Sequence, residues 1–137
     1  MAVAEDPEAL GGSCIFATAS EQQWDGRGTP PASTGEAILE IDLQRGGTYV
    51  VWTRMWYAGP DGNSYWLIID DRPAMKVGND DQGYRAWKWV NWHDGARSNR
   101  VTVELAGGHH TIRLVGREAG TRIDTVLLTD DLGYQPQ

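Results

Sequence analysis

At 137 residues the chain has room for one domain built on one apolar core. Its net charge of −7, from 12 basic and 19 acidic residues, lacks the basic footprint that a nucleic-acid partner requires. No apolar run approaches the roughly 18 residues of a membrane-spanning helix, and the one cysteine, Cys14, excludes an internal disulfide or a cysteine-built zinc site.

In chain order, residues 1–13 are mixed in character and end in Gly11-Gly12-Ser13, which reads as a tail leading into a domain over residues 14–137. The segment before Leu10 lacks the basic and apolar regions of a secretory signal. That fits either a cytosolic protein or a chain written without its leader. Cys14 to Thr18 is a short apolar strand in which the cysteine reads as a small buried side chain. Residues 20–35, with Asp25-Gly26, Gly28 and Pro30-Pro31, form a long loop. Glu36 to Asp42 alternates as a strand, and Thr48 to Tyr57 is the longest strand in the chain. Gly59-Pro60-Asp61-Gly62 is a turn, since proline presets φ and glycine accepts positive φ. It joins Thr48–Tyr57 to a hairpin partner over Asn63 to Asp70. A polar stretch, Gly78 to Arg85, precedes a strand over Ala86 to His93, and Asp94 to Asn99 is loop. Arg100 to Leu105, His109 to Val115 and Thr121 to Leu128 complete the set. No stretch keeps a helical period, so the chain is expected to be all-β, a jelly-roll-like β-sandwich of two antiparallel sheets.

The aromatic residues are unbalanced: seven Trp and five Tyr stand beside one Phe. Phe buries without needing a hydrogen-bond partner, whereas Trp and Tyr suit surfaces that are apolar on one side and wet on the other. Such a skew points to a binding surface. A sugar ring stacks its C–H face on an aromatic plane, and a cleft needs two or more planes on one face. Alternation along the long strand groups Val50, Trp52, Arg54 and Trp56 together, leaving Tyr49, Val51, Thr53, Met55 and Tyr57 on the other side. Trp66 shares a face with Ser64, Ile68 and Asp70, and the expected hairpin brings it near Trp56. Trp87, Trp89, Asn91 and His93 share one face of the next aromatic strand; Lys88, Val90 and Trp92 share the other. The candidate contacts are therefore Arg54, Trp56, Trp66, Tyr84, Trp87 and Trp92, with Tyr84 and Arg85 capping the cleft from a Gly-flanked loop. Filling the core is the competing reading for each Trp; Trp52 and Trp89 lean towards it, and Trp92 fits either. For Arg54 a structural ion pair is the equal alternative to bonding sugar hydroxyls.

From Gly46 onward the chain resembles the galactose-binding-like β-sandwich carbohydrate-binding modules attached to glycoside hydrolases and polysaccharide lyases. The resemblance is carried by the segments 46–54, 63–70, 87–90 (Trp87-Lys88-Trp89-Val90), 106–113, 116–124 and 127–130, taken in order. Within that group the sequence is most similar to carbohydrate-binding module family 81. The resemblance implies a monomeric, secreted, non-catalytic module that binds neutral β-glucan chains such as cello-oligosaccharide, mixed-linkage glucan or xyloglucan. It also implies a covalently linked glycoside hydrolase and a structural calcium. Asp124 on the last strand matches the calcium pattern, with Glu118 as a second candidate ligand, but the first strand, Cys14 to Ala19, lacks the acidic pair expected beside it. The run Asn79-Asp80-Asp81 has no diagnostic ligand spacing and reads more simply as a charged loop.

Enzyme signatures are absent: there is no Gly-x-Ser-x-Gly, His-Glu-x-x-His or P-loop pattern. Adjacent His109 and His110 point to opposite faces of a strand and make no natural ligand pair. The acidic residues Asp70, Asp71, Asp80 and Asp81 lie in turn-like segments, although two facing carboxylates of a hydrolase or lyase would not be visible from sequence. A protein-docking module of the same fold is the remaining alternative.

Overall fold

The computed structural model describes the whole chain, Met1–Gln137. It has two antiparallel sheets and no α-helix. The first contains β1 (Ala2–Glu5), β2 (Ser13–Phe16), β12 (Arg122–Thr129) and β4 (Gly47–Trp56) in that spatial order. Both β10 (Thr102–Leu105) and β7 (Trp87–Val90) pair with the far edge of β4, one after the other along it. The second sheet runs β3 (Glu36–Leu43), β11 (Gly108–Gly116), β5 (Ser64–Ile69), β6 (Met75–Gly78), β8 (Trp92–His93) and β9 (Ala96–Arg100). The expected β-sandwich is the observed one.

The core lies between the sheets and follows the alternation of the strands. Tyr49, Val51 and Met55 of β4, with Tyr57 just beyond it, face Tyr65, Leu67 and Ile69 of β5, with Ile112 and Leu114 of β11 beside them. The two sheets touch through a polar bond as well, Thr53 Oγ1 to Tyr65 Oη at 2.6 Å, both groups buried. Cys14 is buried, as its apolar run implied, and burial pushes its thiol pKa up.

Four local expectations change. The segment read as a tail supplies an edge strand: Ala2–Glu5 pairs residue for residue with Phe16–Ser13. The turn at Ala58–Gly62 is an arch between sheets and not a hairpin, because β4 pairs with β12, β10 and β7 while β5 pairs with β11 and β6. Both strands keep the predicted inward faces, so the same pattern serves either connection. The aromatic strand over Ala86–His93 breaks after Val90, leaving Trp87–Val90 in one sheet and Trp92–His93 in the other. Finally, Asp94-Gly95 is a two-residue hairpin loop with φ of 53° and 75°, which pairs β8 with β9 inside the segment read as loop.

One end of the core is closed by polar groups around Asp80. Its Oδ1 accepts from Tyr57 Oη at 2.6 Å and Trp92 Nε1 at 2.9 Å, and Lys88 Nζ lies 3.8 Å from Oδ2. Burial lowers the Lys88 pKa against the raising effect of Asp80; burial and then the Asp80 bond raise that of Tyr57. Asp80→Ala would strand two buried donors and an enclosed ammonium. A stability loss of about 3–5 kcal/mol is expected by chemical denaturation; a loss below about 1 kcal/mol would contradict this role.

A second pair, buried His110 with half-exposed Asp70, gives the fold a pH signature. His110 donates from Nδ1 to Asp70 Oδ2 at 2.8 Å and from Nε2 to the Ala106 carbonyl at 2.7 Å, so both ring nitrogens carry protons. The Asp70 bond, then the carbonyl, raise the His110 pKa above its ordinary 6.5. Burial alone would raise Asp70, but the bonds from His110 and the Thr111 amide outweigh it and hold the carboxyl below 3.8. His110 therefore contributes stability fully below pH 6.5 and loses it as pH rises through its raised pKa. Asp70 contributes above pH 3.8 and loses it as pH falls through its depressed pKa. The expected result is a melting temperature that declines above pH 6.5 in the wild type and less steeply in His110→Gln; parallel profiles would contradict the pairing.

Candidate functional site

The outward face of the first sheet carries the aromatic residues that alternation assigned to it. Register sets Trp87 of β7 opposite Trp56 of β4, Trp56 opposite Arg122 of β12, and Arg122 opposite Phe16 of β2. Directly opposed residues of antiparallel strands share a face. One continuous row, Trp87–Trp56–Arg122–Phe16, therefore crosses four strands. The Arg122 guanidinium lies over the Trp56 ring at 4.3 Å from its centroid and donates to Asp6 Oδ2 at 3.1 Å, yet its side chain keeps 38% exposure. The Glu8 amide holds the Asp6 carboxyl below its ordinary range, with burial opposing and Arg122 adding to the lowering.

Beyond this row the chain turns through small residues. Ala17 and Ala19, Ala58, and Ala119-Gly120 wall a groove of about 500 Å³ floored by Phe16 and Trp56. Short side chains leave open space beside the indole, while the Arg122 guanidinium covers one face of its ring. The lining holds one charged group, Arg122, and no carboxylate. A larger cavity of about 630 Å³ opens on the second sheet between the Gly26–Pro30 loop and Asp70–Ala74. No aromatic side chain lines it. Two of its arginines are already engaged, Arg113 by two bonds to Glu36 Oε2 (2.9 and 2.7 Å) and Arg72 by the Glu104 carbonyl at 2.5 Å. The smaller groove is the one that can stack a ring.

Of the six residues singled out from sequence, Trp56 lines the groove and Trp87 adjoins it in the row. Arg54 shares their face but is turned onto Asp124, the structural ion pair that was the alternative for it. Trp66 lies on the second sheet and is 8% exposed. It packs edge-on against Trp24 at 5.8 Å and donates from Nε1 to the Trp24 carbonyl at 3.2 Å. Gly26 closes over it so tightly that a Cβ there would lie 2.7 Å from the ring. The loop over residues 20–35 thus converts an outward-facing Trp into the centre of a small second core with Ile68 and Val115. Trp92 is a core residue bonded to Asp80, and Tyr84 is half-buried with its hydroxyl on Asp81 at 2.9 Å. Trp66, Tyr84 and Trp92 therefore stand apart from the groove.

Phe16 and Arg122 were not singled out from sequence. Their place in the row depends on the pairing of β2 with β12 and β12 with β4, which joins residues far apart in the chain. The one available signal was that Phe16 is the sole phenylalanine.

The two carboxylates considered for calcium are each held by an arginine. Glu118 accepts from Arg117 Nη1 at 2.7 Å and from the Ser64 hydroxyl. Asp124 is bonded by Arg54 and by the Leu10 amide at 2.7 Å. Nowhere do three or more His, Cys, Asp or Glu side chains gather as a metal-holding group. As these side chains stand, they do not fit a calcium cage.

No protein-family model and no curated protein sequence matches the chain. Solved structures share its fold. The exo-β-1,3-galactanase of Phanerochaete chrysosporium, solved with β-1,3-galactotriose, superposes with a TM-score of 0.64 at 13% identity over 93% of this chain and 26% of its own. A family 35 carbohydrate-binding module from Clostridium thermocellum gives 0.62 at 14% identity over 93% of this chain and 86% of its own. The GH26-CBM35 β-(1,4)-mannanase of Podospora anserina gives 0.55 at 16% identity over 98% and 28%. The chain thus spans about a quarter of the two enzymes and nearly all of the isolated module. What the chain shares with these structures is the fold, a sandwich of two antiparallel β-sheets. Where these structures name a family it is 35, and family 81, suggested by the sequence, has no support among them.

Proposed function

We propose that the chain is a non-catalytic carbohydrate-binding module that captures a plant cell-wall polysaccharide in the Trp56 groove and keeps a linked, secreted glycoside hydrolase at its substrate. The row Trp87–Trp56–Arg122–Phe16 beneath a groove walled by alanine and glycine carries the reading. It offers a stacking plane, a neighbouring donor and room for a ring. It also lacks the pair of carboxylates that glycoside hydrolysis needs. Two of the fold neighbours point the same way by name: one was solved with a galactan trisaccharide, the other joins such a module to a mannanase.

Two platforms at about 1–3 kcal/mol each give affinities from roughly tens of micromolar to tens of millimolar, by analogy with base stacking. Weak binding suffices, because a tethered module raises the local concentration of its enzyme. Neutral β-glucan is the first ligand class proposed. A second is favoured by Arg122, the groove's single charge: a glycan carrying a uronic acid, whose carboxylate would pair with the guanidinium donors that the Nη1 bond to Asp6 leaves exposed. A family 35 module of this fold has been solved with a glucuronic-acid-containing disaccharide.

Isothermal calorimetry against cello-oligosaccharides, mixed-linkage glucan, xyloglucan, galactan and glucuronoxylan tests both. Saturable binding to neutral glucans that strengthens with chain length supports the first class. Binding confined to glucuronoxylan and weakened by salt supports the second. No binding across the panel would overturn the glycan reading and favour a protein-docking module.

A further inference from the structure

Asp124 is the residue that the resemblance to carbohydrate-binding modules assigns to calcium, and its surroundings point elsewhere. It sits in the bulge between Ile123 and Thr125, with its side chain fully buried. Arg54, on the outward face of the adjacent strand, is 17% exposed and directs Nη1 at Asp124 Oδ2. The same Nη1 lies 3.4 Å from the Glu8 carbonyl, and the guanidinium carbon stands 5.1 Å from the Trp87 ring centroid. Asp124 Oδ2 also accepts from the Leu10 amide at 2.7 Å. Glu8 and Leu10 belong to the connection between β1 and β2, which lies over this part of the sheet.

A carboxylate and a main-chain carbonyl are the oxygens a calcium ion takes. Here a guanidinium engages the carbonyl and Oδ2 of the carboxylate, leaving Oδ1 buried without a partner, and it carries a permanent charge. A dication at the same carboxylate oxygen would face that charge at contact distance in a desolvated site, where like charges repel most strongly. We infer that the Arg54 guanidinium is itself the cation of this site: it neutralises Asp124, pins the β1–β2 connection to the sheet, and makes the fold independent of calcium. The inference does not depend on which glycan the module binds.

Thermal unfolding of the wild-type chain in millimolar calcium chloride and in EGTA tests it first. Melting temperatures that agree within about 1 °C are expected, since an ion that does not bind the native state cannot stabilise it. A larger rise with calcium would overturn the inference. Arg54→Met strands a buried carboxylate and is expected to lower the melting temperature by roughly 10 °C or more. Arg54→Met combined with Asp124→Leu removes both charges and should regain most of that loss. A single variant as stable as wild type, or a double variant no more stable than the single, would also overturn it. If Arg54→Met fails to fold, the calcium comparison on the wild type still decides.

Discussion

Trp56→Ala is expected to weaken oligosaccharide binding by roughly ten- to a hundredfold, the loss of one stacking platform of about 1–3 kcal/mol. Its stability should fall by no more than about 2 kcal/mol, because the ring is only half-buried and its strand keeps its pairing on both sides. Trp56 lies at the centre of the row and lines the groove, so removing it leaves Arg122 without the ring it covers and a ligand without its floor. Calorimetry with the best ligand of the panel measures the first quantity and denaturant unfolding the second. Unchanged affinity would place the glycan elsewhere on the molecule.

Trp66→Ala should do the opposite. The indole fills the second core beneath the loop over residues 20–35, and deleting it leaves a cavity beside Ile68 and Val115. A large aromatic removed from a closed site costs about 3–5 kcal/mol. The bond from its Nε1 to the Trp24 carbonyl is lost with it, which loosens the loop as well. The folded fraction should bind oligosaccharide as the wild type does. A variant of near-native stability with abolished binding would make Trp66 a ligand platform after all.

The contrast between these two residues shows what alternation can and cannot convey. Period-two patterning assigned Trp52, Arg54 and Trp56 to one face and Tyr49, Val51 and Met55 to the core, and the sandwich obeys it. The same rule set Trp66 on an outward face, which is true of its sheet. Whether such a face meets water depends on where a sixteen-residue loop lands, counting residues 20–35, and periodicity does not encode that. Trp66 is closed off by Trp24 and Gly26, more than thirty positions away in sequence.

Connections failed for a related reason. Gly59-Pro60-Asp61-Gly62 has the chemistry of a tight turn, yet it bridges two sheets, because β5 finds β11 and β6 and leaves β4 to β12. Local residues define the bend, and distant pairing decides where the chain goes next. Short strands were also hidden. Ala2–Glu5 and Ala96–Arg100 carry too little hydrophobic contrast to stand out, although Asp94-Gly95 signalled the second of them. Half of the row was legible, since Trp56 and Trp87 announce themselves by type and spacing. Phe16 and Arg122 join them only through a register set across three strands.

The most direct test of the central claim is a titration followed by the indole N–H resonances of the seven tryptophans, assigned by single Trp→Phe variants. The panel's best oligosaccharide should shift the Trp56 and Trp87 signals in proportion to saturation and leave those of Trp66 and Trp92 in place. Shifts confined to Trp66 or Trp92, with Trp56 and Trp87 unmoved at saturation, would contradict the placement of the glycan in this groove.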